Sequence, residues 1–183
     1  MYQLVAFVVF SVPIIHVSRA SLRAPGSHGF YRFFAWEFIL ALVLLNIAVW
    51  FQDPFTWHQV ISWVLLIVSF VPLVLGVRTL TTRGKRVERR EGDASLLAFE
   101  KTSTLVTTGI YHYIRHPLYC SLMILAWGVF FKSPSWLGGL LVLGATLALI
   151  ATAKADEAEC TRFFGPAYQE YMRQTRMFVP FLF

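Results

Sequence analysis

Five long apolar runs divide this chain, over residues 2–17, 33–51, 57–77, 118–131 and 136–153. Runs of that length with few charges are candidate membrane helices. The first is broken only by Gln3, Ser11 and His16, and Arg19 and Arg23 follow it rather than precede it. That order suits a first span and not a secretory leader. Pro25, Gly26 and Gly29 mark a loop before the second run, Gln52-Asp53-Pro54 a turn before the third, and Lys132-Ser133-Pro134-Ser135 a tight turn before the fifth. Gly138, Gly139, Gly144 and Ala148 in the fifth run are spaced for close helix contact. The expectation is an all-α polytopic membrane protein of about five spans, a single domain over 1–183.

The fourth run is the odd one. Pro117 suits the first turn of a helix, where its missing N–H costs nothing. A helix from there to Phe131 is roughly 21 Å long against a hydrocarbon core of about 30 Å. Sinking the Arg115-His116-Pro117 end into the interface makes up the difference and lets these groups line a recessed, protein-walled pocket.

Charge placement sets the expected orientation. With the N-terminus outside, fifteen of the sixteen Lys and Arg fall on the inner face and only Lys132 falls outside, as the positive-inside rule requires. The C-terminus and the two chemistry-bearing stretches, 105–119 and 154–176, are then cytoplasmic. Composition agrees: 57% hydrophobic and 14% charged residues exclude a soluble globule. The net charge of +6 belongs to the membrane face and its anionic headgroups, with no nucleic-acid partner expected. Residues 78–101 form the one long polar segment, its second half either an interfacial helix or a loop. The end of the chain, 154–183, mixes charges with Phe163, Phe164, Tyr168 and Tyr171, as a helix at the interface does.

Few residues offer chemistry. A helix starting at Pro117 presents free amides and its positive dipole end to an anion. Asp156, Glu157 and Glu159 stand where the fifth run ends, opposed to the helix dipole, and require a cation: Arg115, Lys154 or a ligand. Glu37, the one carboxylate inside an apolar run, lies near the inner end of its span, where snorkelling or a basic loop partner satisfies it. His112 and His116 have an HxxxH spacing, but the other histidines are scattered and no metal site is expected; Cys120 and Cys160 read as free thiols.

Three elements in order, LVTTGIYHYIRHPLY (105–119), DEAECTRFFGPAYQEY (156–171) and the later TRMFVP, resemble the isoprenylcysteine carboxyl methyltransferase superfamily, integral membrane enzymes related to the phospholipid N-methyltransferases. The resemblance covers about the last 80 residues. It implies an S-adenosylmethionine site within 103–176, with S-adenosylhomocysteine as product. The cofactor would be held by Thr104, Leu105, Val106, Tyr111, His116, Pro117, Leu118, Tyr119, Asp156 and Glu157, and Arg115, His116 and Glu157 would be the catalytic group. The cofactor's ammonium and sulfonium suit the two acids, and its carboxylate suits the start of the fourth helix. A lipophilic small molecule, lipid or lipidated acceptor would enter from the bilayer, and an amine or thiol acceptor needs a base, Glu157 or His116. Three departures stand out: Thr152 where carboxyl-methylating members carry an acceptor-holding arginine, Asp156 where glutamate is usual, and Ser121 for a common glycine. They turn the expectation away from a prenylated-cysteine carboxylate. A phospholipid amine acceptor, a non-enzymatic binding or organising protein on the same scaffold, and kinship with sterol reductases remain alternatives.

The charge asymmetry predicts that reporter fusions at residue 1 and residue 183 report opposite sides of the membrane. Reports from the same side would remove the five-span topology.

Overall fold

The computed structural model describes residues 2–84 and 104–179. The segment 85–103, which carries most of the expected basic face and the possible interfacial helix, lies outside the described residues. The elements are α1 (Tyr2–Leu22), α2 (His28–Asn46, continued by a 3-10 turn Ile47–Val49), α3 (Trp57–Arg83), a 3-10 turn Gly109–His112, α4 (Pro117–Phe130), α5 (Trp136–Phe164) and α6 (Pro166–Gln174). No strand occurs among the described residues; Ile114 and Arg176 form an isolated parallel bridge.

Four helices, α1, α2 with its continuation, α3 and α5, are long and apolar enough to cross a membrane. The fifth apolar helix, α4, has 14 residues and stays below that length. Pro117 sits at its first turn. Ser27 caps α2 and Ser135 caps α5, each accepting from the backbone N–H three residues on, which satisfies a donor that the first turn leaves orphaned. The helices overrun the apolar runs. α2 starts at His28 rather than 33, and α5 continues through the acids to Phe164, because a helix once begun extends into polar residues that find partners.

The core is the contact of α2, α4 and α5. Ile39, Leu42, Ala126, Val129, Val142 and Ala145 form one cluster, and Ala35, Tyr119, Leu149, Ala153 and Phe178 a second nearer the acids. Small residues set the helix spacing, as the fifth run's glycines suggested. A methyl group added at Gly144 would stand 3.0 Å from Phe38, and one at Gly128 3.1 Å from the Leu66 backbone nitrogen. Gly139 instead faces open space. At Gly76 of α3 the added carbon would meet Pro117 at 3.1 Å, so α3 passes directly over the start of α4. Large apolar side chains of α1 and α3, among them Leu4, Val8, Phe10, Ile67 and Phe70, remain exposed, as lipid-facing positions do.

Two polar residues stand differently from the sequence expectation. Glu37 is nine residues into α2, about 13 Å from its start, and its partner is no basic loop residue: Ser11 of α1 donates to Oε2 at 2.7 Å, while Oε1 is buried without a hydrogen bond. Lys132, the one basic residue that the charge count leaves on the outer side, is 1% exposed and so is no solvated charge. Its Nζ lies 3.5 Å from the centroid of Trp63 and 5.3 Å from that of Trp50, and donates to Gln59 Oε1 at 3.0 Å. Gln59 Nε2 donates in turn to the carbonyls of Val49 and Lys132. The α2–α3 and α4–α5 connections are thus fastened together. Burial pushes the Lys132 amine below its ordinary pKa.

Replacing Lys132 by Met keeps most of the volume and removes the cation and its donors. The variant is expected to lose about 2 kcal/mol of stability, read as a lower Tm in detergent by tryptophan fluorescence. An unchanged Tm would remove the fastening role.

Candidate functional site: a carboxylate cluster where α4 and α5 meet

The backbone before α4 is fixed by the end of the chain. Arg115 N–H donates to Arg176 O at 2.8 Å, His116 N–H to Met177 O at 3.1 Å, and Arg176 N–H to Tyr113 O at 3.2 Å. This ties 113–116 to 176–177 and aims the Arg115 and His116 side chains at α5. One amide that the sequence offered to an anion, that of His116, is therefore taken; that of Leu118 belongs to the first turn of α4, where the helix itself offers it no acceptor.

Arg115 Nε donates to Glu157 Oε1 at 2.6 Å, both side chains about nine-tenths buried. Its Nη1 donates to the carbonyls of Met172 and Thr175. One guanidinium therefore joins α5, α6 and the segment after α6. His116, 5% exposed, lies between the acids: Nε2 is 3.3 Å from Glu157 Oε1 and Nδ1 3.5 Å from Asp156 Oδ2. Burial of its ring opposes protonation, but hydrogen bonding to Asp156 and Glu157 and their charge outweigh it, so the His116 pKa is raised. Tyr119 stacks on the imidazole, ring centroids 5.4 Å apart, and its hydroxyl donates to Asp156 Oδ2 at 3.5 Å. The Cys160 thiol reaches Asp156 Oδ1 at 3.6 Å.

The acids are unequal. Glu157 is held closely by a full cation. Asp156, its side chain 21% exposed, has only long contacts, which leaves lone pairs for a further donor. A structural ion pair with Arg115 thus accounts for Glu157 and not for Asp156.

Five expected residues, Arg115, His116, Tyr119, Asp156 and Glu157, come together here, and Pro117 sits beside them at the α4 start. Leu118 turns to α3, against Gly76. Tyr111 is buried, and its carbonyl accepts from the Tyr171 hydroxyl at 2.6 Å; burial drives the Tyr171 pKa upward. Thr104, Leu105 and Val106 lie on the irregular stretch leading to Gly109, exposed, half-buried and buried in that order. Gly109 takes φ +63° beside Thr79, a turn only glycine makes cheaply. Thr152 is buried with its hydroxyl turned back to Ala148 O, and Lys154 is exposed.

Sequence reasoning missed His28. Its Nδ1 lies 2.6 Å from Glu159 Oε2, and its backbone N–H donates to Glu159 Oε1 at 2.9 Å. No sequence signal links positions 131 residues apart. The one available hint was that Glu159 needed a cation.

Residues 87–166 match the family model for phospholipid methyltransferase. Methanethiol S-methyltransferase of Crocosphaera subtropica is 30% identical over 78 residues, 42% of this chain and 29% of that protein. Both matches fit the isoprenylcysteine carboxyl methyltransferase-like family of membrane methyltransferases. The matched part is less than a third of that relative's length. No solved structure matches the chain. The family match takes in Arg115, His116, Asp156 and Glu157 and ends at Pro166, so the carbonyls that close around Arg115 lie beyond it.

Lysine cannot reproduce the guanidinium fork. Arg115→Lys is therefore expected to cost about 3 kcal/mol and to speed tryptic cleavage at Arg173 as α6 loosens. Unchanged cleavage and Tm would show that α6 is held by other contacts.

Proposed function

We propose that this protein transfers a methyl group from S-adenosylmethionine to a lipophilic acceptor. The observation that carries the reading is Asp156: a carboxylate with only long contacts, at the meeting point of α4 and α5, next to a buried imidazole and a tyrosine hydroxyl. The donor set fits the cofactor. Asp156 would take the cationic end, the start of α4 with its Leu118 N–H the carboxylate, and the Tyr119 hydroxyl would lie alongside.

S-adenosylmethionine supplies a methyl carbon already activated by its sulfonium, and the C–S bond breaks as the acceptor's lone pair takes the methyl. No metal is called for in this scheme, and the described residues hold no cluster of metal-ligating side chains. The chain's own task is to orient and to exclude water. Arg115 and Glu157, bound to each other, are positioning residues in this reading, keeping α4, α5 and α6 in register. His116 is better placed than Glu157 to touch the reactants, since Glu157 is already occupied by a guanidinium. An amine or thiol acceptor would lose its proton to His116 once the imidazole is neutral; a carboxylate acceptor needs no base.

A phospholipid amine is the second acceptor class, favoured by the description of the matching family model. The cofactor side is proposed to face the cytoplasm, in line with the basic residues that follow α1, α3 and α5.

S-adenosylhomocysteine at millimolar concentration is expected to raise the Tm of the detergent-purified protein, and Asp156→Ala to abolish that rise while the protein still inserts. No rise in the unaltered protein would count for a non-enzymatic scaffold. Membranes given methyl-labelled cofactor are expected to label a lipophilic product, and its chemistry distinguishes a phospholipid amine from other acceptors.

A further inference from the structure

The first residue of α2 and the end of α5 share a contact that the proposed chemistry does not use. His28 is fully buried, and one carboxylate holds it twice: Glu159 Oε1 accepts its backbone N–H at 2.9 Å, and Glu159 Oε2 lies 2.6 Å from Nδ1. Two donors on a single carboxylate fix that group's plane. The same carboxylate lies at the N-terminal end of α2, where the helix dipole favours a negative charge.

The position on α5 gives this contact its significance. At about 100° per residue, Glu157 projects ~100° to one side of Asp156 and Glu159 ~60° to the other. Asp156 occupies the arc between them. Its own contacts, 3.5 Å to His116 and Tyr119 and 3.6 Å to Cys160, are too long to fix a carboxylate. Its location is therefore set by whatever holds the α5 backbone at that turn. Arg115 grips that turn from the α4 side through Glu157, and His28 grips it from the α2 side through Glu159. The imidazole of His28 also interacts electrostatically with Asp156. Three carboxylates within four residues repel one another, and without a partner for Glu159 the turn has every reason to shift.

We propose that His28 and Glu159 are a positioning pair for Asp156, so that α2, which lies outside the matched stretch 87–166, helps build the site for the cationic end of the methyl donor. The inference rests on the methyl-transfer reading above.

The test uses S-adenosylhomocysteine binding to the full-length protein in detergent, measured by calorimetry. His28→Ala is expected to raise Kd about tenfold. His28→Asn, whose amide nitrogen occupies roughly the place of Nδ1, is expected to stay within about twofold of the unaltered protein. Glu159→Gln is expected to match His28→Ala, because both partners of this carboxylate are donors and one of its two accepting oxygens becomes an NH2 donor. The double variant His28→Ala/Glu159→Gln should remain near tenfold rather than a hundredfold, since both changes remove one link. Lys132→Met, which lowers stability at the far end of the bundle, should leave Kd unchanged, and so separates positioning from general loosening. A folded His28→Ala or Glu159→Gln with Kd within twofold of the unaltered protein overturns the inference, as does a multiplicative double variant or an Asn variant no better than Ala. Should His28→Ala fail to fold, Glu159→Gln and His28→Asn decide. An unaltered protein that binds no S-adenosylhomocysteine overturns the methyl-transfer reading itself, a separate outcome.

Discussion

Glu157 and Arg115 hold the functional end of this bundle together. A carboxylate on α5 and a guanidinium just ahead of α4, both nearly out of water, meet at 2.6 Å, and Nη1 of the arginine donates to two backbone carbonyls that follow in the chain. A buried pair is tolerable only when its other donors and acceptors are also satisfied, and removing one member typically costs about 3–5 kcal/mol. Here that condition brings the segment around 172–177 back against 113–116. The shortness of α4 follows the same logic. A chain that must place Arg115, His116 and Pro117 beside the acids of α5 starts its fourth helix late and leaves only 14 residues before the next turn.

The two ends of the bundle solve the problem of buried charge differently. At the α4–α5 turn a lone cation is shielded by two indole faces and one amide oxygen. At the other end, three acids share an arginine and two histidines, His116 between Asp156 and Glu157 and His28 on Glu159. The first arrangement is closed. In the second, Asp156 keeps acceptor capacity, and that inequality among neighbouring carboxylates is what gives the site a chemical direction.

Much of the architecture was legible in the sequence because its signals are local. The apolar runs mark the helices, and Pro117 marks where α4 begins. The three motif elements group Arg115, His116, Tyr119, Asp156 and Glu157, and the fold brings those side chains together. What stayed hidden depends on pairings between distant positions. Hydropathy cannot show that α2 reaches down to His28, because the added turn carries the polar His28 and Arg32, and His28 is held by Glu159, 131 positions away. Nor can it show that Glu37 sits deep in α2 against Ser11, or that Lys132 turns inward to two tryptophans. Each of these is a polar residue for which the sequence offers an aqueous explanation and the fold supplies a protein partner.

The sixty-residue separation between Arg115 and Thr175 also governs the order of assembly. A ribosome delivers the chain from its N-terminus, so α1 to α5 are made before the carbonyls of Met172 and Thr175 exist. Until then the guanidinium has Glu157 but nothing to saturate its Nη1. The membrane part of the fold therefore precedes the closure of the site, and the segment that follows α5 acts as the latch.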